Sequence, residues 1–320
     1  MQKEKILYTL VLIILALIPI QSIFGQTKQE ALTFSNLTFE VSTPKQQFMK
    51  SEPIVTTFKI ANNTNTNIIG HWAVDFDFPY IQVFIYHNGQ KRNAEEFLPR
   101  EGLKTFIPAI IKPTETHEKQ QIMDFFLDQM FPEPGVYQLE FVLQDTQQKN
   151  RDIKEEIKSN LLTIEIKEPK EGDLEALNFM QNHGSIYNYF DVKRMIVDKQ
   201  ALKIAEEFLL KFGDTTYGDH VSLKVSEFYL FIGTSTGQFD PETGEIIVAR
   251  SVPINAIKYL EKLSTKEDFV LADCALSYLV TAYSQNQEIE KAEHTLEILK
   301  RKYPNSQYAK ATKIYNLGNR

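Results

Sequence analysis

Apolar residues recur at every second position in several segments of the first half of the chain. One of these segments closes on Asn88-Gly89, a dipeptide that strongly favours a two-residue hairpin turn. Such alternation places one face of a strand in a core and leaves the other face in water. The alternating positions are Ile54, Thr56, Phe58 and Ile60; Ile81, Val83 and Ile85; Tyr137, Leu139, Phe141 and Leu143; and Leu162, Ile164 and Ile166. We therefore predict strands across residues 31–167.

The number of strand candidates favours a β-sandwich for this first domain. The weaker candidates are 32–41, 67–75, 91–98, 104–111 and 117–126. With them the expected total is about eight or nine short strands, a number typical of an immunoglobulin-like sandwich. The stretch QIMDFFLDQMF, residues 121–131, can instead form a short helical turn, because its apolar residues do not alternate strictly.

Two short motifs in this region resemble a known class of exported domain. A strand that begins EPIVTTFKIAN and a later strand entered through Pro134-Gly-Val-Tyr137 look like those of exported bacterial immunoglobulin-like domains, including the BsuPI proteinase-inhibitor type. The resemblance implies that Tyr137 lies in the sandwich core or near a corner. It also implies an alternative function, in which the sandwich inhibits an extracellular proteinase by presenting a loop such as 88–102.

A charged linker, residues 168–173, precedes a change in the hydrophobic period. Beyond it the apolar residues recur at spacings of three and four, which predicts helices across residues 174–320. A helix is expected from about Lys199, with Ala201, Ala205 and Phe208 on one face. The fold class that we predict is therefore an all-β domain followed by an all-α domain.

The helical half contains an internal repeat. LKFGDTTYGDH at 210–220 aligns with RKYPNSQYAKA at 301–311, and the helices before the two segments align as well. The corresponding pairs are Ala201 with Ala292, Phe208 with Leu299, Gly213 with Pro304, Thr215 with Ser306, and Tyr217 with Tyr308. A third, weaker copy of the helix begins at Ala256. Such repeats fold as stacked helical hairpins.

Residues 273–306 resemble the tetratricopeptide repeat. Leu279, Tyr283, Ala292 and Pro304 match positions of that family's pattern, while Leu296 stands where the family has Phe. The resemblance implies an array of α-hairpins that binds a protein or peptide partner, closed by a final helix in AKATKIYNLG. The positions that we expect to hold the repeats together are Ala201, Phe208, Tyr217, Leu279, Tyr283, Ala292, Leu296, Pro304 and Tyr308.

The N-terminus carries a targeting signal. Lys3 and Lys5 precede an uncharged apolar run, and Pro19 and a small Gly25 follow it, which is typical of a secretory signal peptide spanning residues 1–25. The alternative is an uncleaved segment that anchors the protein in a membrane. We therefore expect a periplasmic or extracellular location.

Charge and motif content narrow the possible functions. The formal net charge of −7, without a concentrated basic stripe, argues against a nucleic-acid partner. The single cysteine, Cys274, lies in an apolar helical pattern, so we expect it to be buried. No H-E-x-x-H, P-loop or dinucleotide-binding glycine pattern occurs. We predict no catalytic, cofactor-binding or metal-binding residues and no cofactor.

Two polar segments remain as weaker candidates for function. Asp75 and Asp77 share a strand face with His71, but no third carboxylate follows at calcium-loop spacing, so a solvated face is the favoured interpretation. GQFDPETGEI, residues 237–246, is expected to form an exposed hairpin-like loop between helices.

The function that the sequence favours is that of an exported, non-enzymatic scaffold protein that binds a partner through its helical repeats. Two alternatives stay open: the proteinase inhibitor described above, and a hydrolase whose catalytic side chains no motif exposes.

Overall fold

A computed structural model describes residues 37–70, 81–94, 109–123, 127–144, 156–183, 199–235, 237–239, 246–248 and 253–314. Within these residues, strands occupy the chain as far as Lys167, interrupted by one single-turn helix. Helices follow from Glu171, interrupted by one two-stranded hairpin. The chain therefore joins a β region to an α region, as the change of hydrophobic period predicts.

The strands of the β region form two main sheets. In chain order they are β1 (Leu37–Ser42), β2 (Gln47–Met49), β3 (Ile54–Asn62), β4 (Ile68–Gly70), β5 (Ile81–His87), β6 (Gln90–Asn93), β7 (Ala109–Ile111), β8 (Thr116–Met123), β9 (Gly135–Gln144), β10 (Glu156–Lys158) and β11 (Leu162–Lys167). The three-stranded sheet has the order β1-β3-β8, and the larger sheet has the order β2-β11-β9-β5-β6, with β10 paired to the end of β9. Strands β2 and β11 are parallel, whereas the other pairs are antiparallel.

The inward faces of the two sheets share one core. The alternating residues predicted from the sequence supply it: in β3, Ile54, Phe58 and Ile60 are buried, while Lys59 between them is exposed. Phe58 of the smaller sheet meets Phe141 of the larger one edge to face, with ring centroids 5.1 Å apart. Each large apolar side chain buried in this way contributes about 1.5–3 kcal/mol to folding.

The corner before β9 explains the glycine and tyrosine of the Pro-Gly-Val-Tyr motif. A single-turn helix, α1 (Leu127–Met130), precedes this corner, as predicted by the helical alternative for residues 121–131. The Tyr137 hydroxyl donates to the carbonyl of Glu133 at 2.7 Å, and its fully buried ring stacks on His87 at 4.0 Å. Gly135 has a φ of +146°, and a Cβ there would lie 2.8 Å from the His87 ring. Only glycine suits this position without strain.

The hairpin signal at Asn88-Gly89 is confirmed. These two residues connect β5 to β6 with φ values of 49° and 76°, the left-handed pair that a type I′ turn requires. The predicted loop 88–102 thus begins as a tight turn, and residues 95–102 lie outside the described residues.

The helices of the α region pack in sequence order. They are α2 (Glu171–Asn182), α3 (Lys199–Phe212), α4 (Thr216–Ser235), α5 (Pro253–Ser264), α6 (Ala272–Gln285), α7 (Ile289–Lys302) and α8 (Gln307–Ala311). Each contacts the next along the chain from α2 to α8, and alternate helices also touch, in the pairs α2 with α4, α4 with α6, and α6 with α8. A short hairpin of β12 (Gly237–Phe239) and β13 (Ile246–Val248) lies between α4 and α5, as expected for residues 237–246.

The two segments aligned in the sequence repeat have the same local structure. Thr215 and Ser306 both precede a helix, and each side-chain oxygen accepts a backbone N–H of the first turn, from Gly218 at 3.1 Å and from Tyr308 at 3.0 Å. Capping of this kind contributes about 1 kcal/mol to helix stability. The third copy is also helical, with Ala256 fully buried in α5.

Two boundaries differ from the sequence-based expectation, and one predicted helix is not tested. Helix α2 begins at Glu171, so only residues 168–170 of the predicted linker are non-helical. The closing helix expected in AKATKIYNLG ends at Ala311, because Thr312 adopts an extended backbone and its hydroxyl donates to the Tyr308 carbonyl at 2.6 Å. The first helix of the earlier repeat copy, around IYNYFDVKRM, lies outside the described residues.

The β and α regions meet along the first half of α4. Every residue from 220 to 226 is buried, so this half of the helix is covered on all sides. Leu223 belongs to the same apolar cluster as Val55, which lies on the outer face of the three-stranded sheet beside Ile122. The Tyr217 hydroxyl donates to the Lys50 carbonyl at 2.6 Å.

A buried carboxylate lies at the centre of this junction. Glu52 is 2% exposed, and its Oε1 lies 2.5 Å from Lys45 Nζ and 3.5 Å from Nε2 of the buried His220. Its Oε2 accepts the backbone N–H of Met49 at 2.8 Å. Burial by itself raises the pKa of Glu52, but the hydrogen bond and charge of His220, with those of Lys45, outweigh it and hold the pKa below the ordinary 4.5.

We expect Gly135→Ala to lower the free energy of unfolding by about 1–3 kcal/mol, because alanine is strained at a positive φ and its Cβ collides with the His87 ring. Gly172→Ala in α2 is the matched control: its nearest neighbour is 3.6 Å away, so the change is stabilising or neutral within about 1 kcal/mol. Urea denaturation measures both. Equal stability of the two variants would contradict the strain argument.

We expect Glu52→Gln to destabilise the protein by about 2–4 kcal/mol at pH 7, because Lys45 and His220 lose a buried charged partner. A carboxyl whose folded pKa is depressed contributes stability above its unfolded pKa and loses it in acid. The difference in unfolding free energy between wild type and variant should therefore shrink as the pH falls below 4.5.

The pH dependence is measured by urea denaturation from pH 7 to pH 3. Glu40→Gln is the matched control, because Glu40 pairs with Lys59 in solvent, where such pairs are worth about 0–1 kcal/mol. A wild-type advantage over Glu52→Gln that stays constant across this range would contradict the proposed role of the carboxylate.

Candidate partner-binding face on the helical region

Alternate helices of the α region present one continuous face. Helices α4, α6 and α8 lie side by side, and four of their side chains define what we call the aromatic face: Glu227, Phe231, Tyr278 and Tyr308. Phe231 is 37% exposed, which is unusual for so large an apolar side chain, and the other three are partly buried. The face therefore combines apolar area with hydrogen-bonding groups.

The residues of α4 on this side are spaced so that they fall on one stripe of the helix. Lys224, Glu227 and Phe231 follow each other at intervals of three and four. Lys224 is buried and its Nζ lies 3.3 Å from Glu227 Oε2. Tyr278 of α6 meets both neighbours: its hydroxyl donates to Glu227 Oε1 at 3.4 Å, and its ring contacts Phe231 edge to face at 5.2 Å. These contacts fix the orientation of the exposed ring.

A buried thiol lies beneath the two tyrosines of the aromatic face. Cys274 is 2% exposed, and burial raises its pKa to about 12. Burial also raises the pKa of Tyr278 and of Tyr308, and the neighbouring Cys274 raises both further. All three groups therefore remain protonated at neutral pH. A thiol in this state is a poor nucleophile, since the thiolate is the reactive form.

Helix α8 is held against α6 by two polar contacts. Ser306 Oγ donates to Asp273 Oδ2 at 2.6 Å, and Asp273 Oδ1 accepts the backbone N–H of Cys274 at 2.8 Å. Four residues further along α6, the hydroxyls of Ser277 and Thr312 lie 2.7 Å apart. These contacts fix the position of Tyr308 on the aromatic face.

The predicted repeat positions are distributed over the apolar clusters of the α region. Ala201, Phe208 and Tyr217 are buried in the cluster shared by α2, α3 and α4. A second cluster contains Leu279, Tyr283 and Ala292, with Leu296 and Tyr308 partly buried against it. Pro304 is exposed, just after the end of α7. The structure brings Tyr308 alone of these residues to the aromatic face.

Most of the weaker candidate residues lie outside the part of the chain that the structure describes. Among the described residues no group of three or more His, Cys, Asp and Glu side chains could hold a metal ion. Asp75, Asp77 and His71 lie outside the described residues, and so do 240–245 of the loop between β12 and β13. His183 stacks on Phe179 at the end of α2, where its Nδ1 lies 2.8 Å from that residue's carbonyl oxygen.

Sequence reasoning missed the residues that now stand out. Glu227 and Phe231 were not singled out, although their helical spacing from Lys224 is visible in the sequence. The pair of Glu52 and His220 had no usable signal, because its members are 168 positions apart.

No helix among the described residues is both long and apolar enough to cross a lipid bilayer, and the predicted signal segment 1–25 lies outside them.

We expect Cys274 to resist alkylation by iodoacetamide at pH 8 in the native protein. The rate should be at least about a hundredfold lower than in 6 M guanidinium chloride, because burial removes access and suppresses the thiolate. A Cys274→Ser, Leu210→Cys variant provides the matched control, since Leu210 is 87% exposed and a thiol there should react quickly. Rapid labelling of native Cys274 would contradict its burial.

Comparison with known proteins finds partial similarity to solved structures. No protein-family model and no curated protein matches the chain. Among solved structures, the sporulation control protein Spo0M from Bacillus subtilis is 13% identical, with a TM-score of 0.26, over 46% of this chain and 56% of that one. The CARDB domain of PF1109 from Pyrococcus furiosus is 14% identical, with a TM-score of 0.22, over 42% of this chain and 96% of that one.

A β-glucosidase from Listeria innocua in complex with isofagomine is also similar to part of the chain. It is 12% identical, with a TM-score of 0.24, over 42% of this chain and 16% of the enzyme. The match thus spans about one sixth of that enzyme's length. TM-scores of this size establish neither a common fold nor a common activity with any of the three proteins.

Proposed function

We propose that this protein is an exported, non-enzymatic binding protein that holds a protein or peptide partner on the aromatic face of its α region. In this proposal the β region is an immunoglobulin-like sandwich and the α region is a tetratricopeptide-like array. Export rests on the signal peptide predicted for residues 1–25.

The strand order supports the immunoglobulin-like assignment. A small sheet β1-β3-β8 facing a sheet in which β9 lies between β5 and β11 has the order of strands A, B and E opposite C, F and G. The bond from the Tyr137 hydroxyl back to the Glu133 carbonyl is the tyrosine corner typical of such domains at the start of strand F.

The helix packing supports the tetratricopeptide-like assignment. Helices α4 with α5, and α6 with α7, are successive hairpins, and contacts between alternate helices are those expected of stacked repeats. The array departs from the family in three respects. Helix α4 has 20 residues and is followed by the inserted β12–β13 hairpin, and the array ends on the five-residue α8.

The exposed Phe231 ring, fixed in place by Tyr278, is the observation that carries the proposal. Aromatic side chains are enriched in the centres of protein interfaces, where they bury a large area at little entropic cost. Glu227 and Tyr308 add hydrogen-bonding groups around it. The buried and protonated Cys274 supports a binding role over one in covalent catalysis.

The test compares partner binding by single-residue variants of the full chain. Partners retained by the wild type from cell-envelope extract are identified and purified, and their Kd is measured by calorimetry. We expect Phe231→Ala to weaken binding by about tenfold or more, as for a central interface aromatic.

Leu210→Ala is the matched control, because Leu210 is an exposed apolar residue on α3, away from the aromatic face. It should leave the Kd unchanged. Deletion of residues 174–320 should abolish binding. Survival of every partner in the deletion variant, or equal affinity of Phe231→Ala and wild type, would refute the proposal.

A further inference from the structure

The segment around α7 and α8 carries a concentration of exposed basic side chains. Between Glu297 and Lys313 the sequence contains no Asp or Glu. Five cations occur in this stretch, all of them exposed, and we call them the basic cluster: Lys300, Arg301, Lys302, Lys310 and Lys313. The cluster is distinctive because the chain as a whole has a formal net charge of −7.

The packing of α7 against α8 brings the two parts of the basic cluster together. Three of the cations form the last turn of α7. Leu299, just before them, shares a small apolar cluster with Ala309 of α8, and Lys310 follows Ala309 directly. Among the described elements, α7 and α8 make their main contacts with each other and with α6. The basic cluster therefore lies at one end of the row of helices.

Ion pairs do not neutralise the basic cluster. None of its five side chains forms an ion pair or a hydrogen bond with another described residue. By contrast, four other lysines of the α region each pair with a carboxylate: Lys211, Lys262, Lys266 and Lys291. The positive field of the cluster therefore reaches into solvent, over about 8 Å at physiological ionic strength.

Carboxylates border the basic cluster but do not outnumber it. Asp273 is buried, and both of its oxygens accept hydrogen bonds. The exposed Glu297 lies on α7 just before the cluster. Burial raises the pKa of Tyr303, and the charges of Asp273 and Glu267 raise it further, which places Glu267 near the end of α7. Even with the adjacent Asp268, the exposed carboxylates are fewer than the five cations.

Helix stability accounts for only part of the basic cluster. Cations in the last turn of a helix interact favourably with its C-terminal end, which suits the three on α7. Lys313 has no such role, because it follows the end of α8. The accumulation of charge on both segments therefore calls for a partner that is negatively charged.

The surroundings of the basic cluster suit a membrane surface better than a peptide or a nucleic acid. The apolar side chains beside it, such as Leu299 and Tyr303, pack into the helices and give a peptide no anchor. A long polyanion such as DNA would extend past the cluster to the exposed Glu290 and Glu293 of α7, which would repel it. A bilayer with anionic lipid presents many charged head groups to one end of the molecule, and clusters of about four to eight Lys or Arg residues are typical of segments that bind it.

We propose that the basic cluster docks the protein on the surface of a membrane that contains anionic phospholipid. The contact is electrostatic, without insertion of apolar side chains, and it places the ends of α7 and α8 against the head groups. This role goes beyond partner binding on the aromatic face, because it uses none of the residues that define that face.

The probe is a suspension of vesicles with about 30% phosphatidylglycerol in phosphatidylcholine, and binding is measured by co-sedimentation. The protein is the chain from Gln26, because the apolar run within residues 1–25 would bind any bilayer by itself. We expect binding at about 0.1 M salt and a decrease of at least about tenfold at about 0.5 M salt. Vesicles of pure phosphatidylcholine should not bind the protein.

Removal of the cations should weaken binding in proportion to their number. Each basic side chain near an anionic membrane is worth about fivefold in affinity, so Lys310→Gln combined with Lys313→Gln should weaken binding about twentyfold. Replacing Lys300, Arg301 and Lys302 together by Gln should weaken it about a hundredfold. Circular dichroism melts of both variants establish that they are folded.

The matched control combines Lys203→Gln with Lys258→Gln. It removes two exposed charges from α3 and α5, as many as the variant with two substitutions on α8 and beyond. Vesicle binding by this control should stay within about twofold of wild type, because the charges lie outside the basic cluster. An equal loss of binding in the control would overturn the assignment to the cluster, since net charge would then explain the result.

Three further outcomes would overturn the proposal. The first is a wild type that does not bind the anionic vesicles. The second is binding to neutral vesicles that persists in high salt, which would indicate insertion of apolar side chains. The third is a wild type that ignores the vesicles but binds polyglutamate or duplex DNA, which would assign the cluster to another class of partner. Phe231→Ala should bind vesicles as wild type does, so that failure of either proposal leaves the other standing.

Discussion

The rest of the structure depends on the burial of the first half of α4. This segment touches α2 and α3 on one side, α5 and α6 on another, and the β region at its start. A helix covered on all sides must be apolar all round or have every polar group paired. Here Ser226 donates to the Ser222 carbonyl at 2.7 Å, and Lys224 pairs with Glu227. The helix can therefore join two cores.

The junction at the start of α4 combines apolar contact with buried charge. Desolvating Glu52 is costly, and Lys45, His220 and the Met49 N–H offset that cost only when both regions are in place. Nearby, Lys266 pairs with Asp219, whose pKa is nevertheless raised because burial outweighs the attraction. Charges buried in this way favour one docked arrangement, since any displacement would leave them unpaired.

The same arrangement organises the candidate site. Because the β region covers only the start of α4, Glu227 and Phe231 at the next turns remain accessible. Contacts from α6 orient them, and α8 extends the face. The groups that resemble catalytic residues are instead buried and protonated, as Cys274 is, or engaged in the junction, as His220 is.

The sequence by itself determined the local features. The change of period separates strands from helices, Asn88-Gly89 determines a hairpin, and the aligned Thr215 and Ser306 cap equivalent helices, because each of these depends on residues close together in the chain. Tertiary structure alone decided which faces meet. Glu52 and His220 are polar and 168 positions apart, so no local pattern marks them as a buried pair. Likewise, Phe231 differs from the core aromatics because the packing of α4 leaves its ring partly exposed.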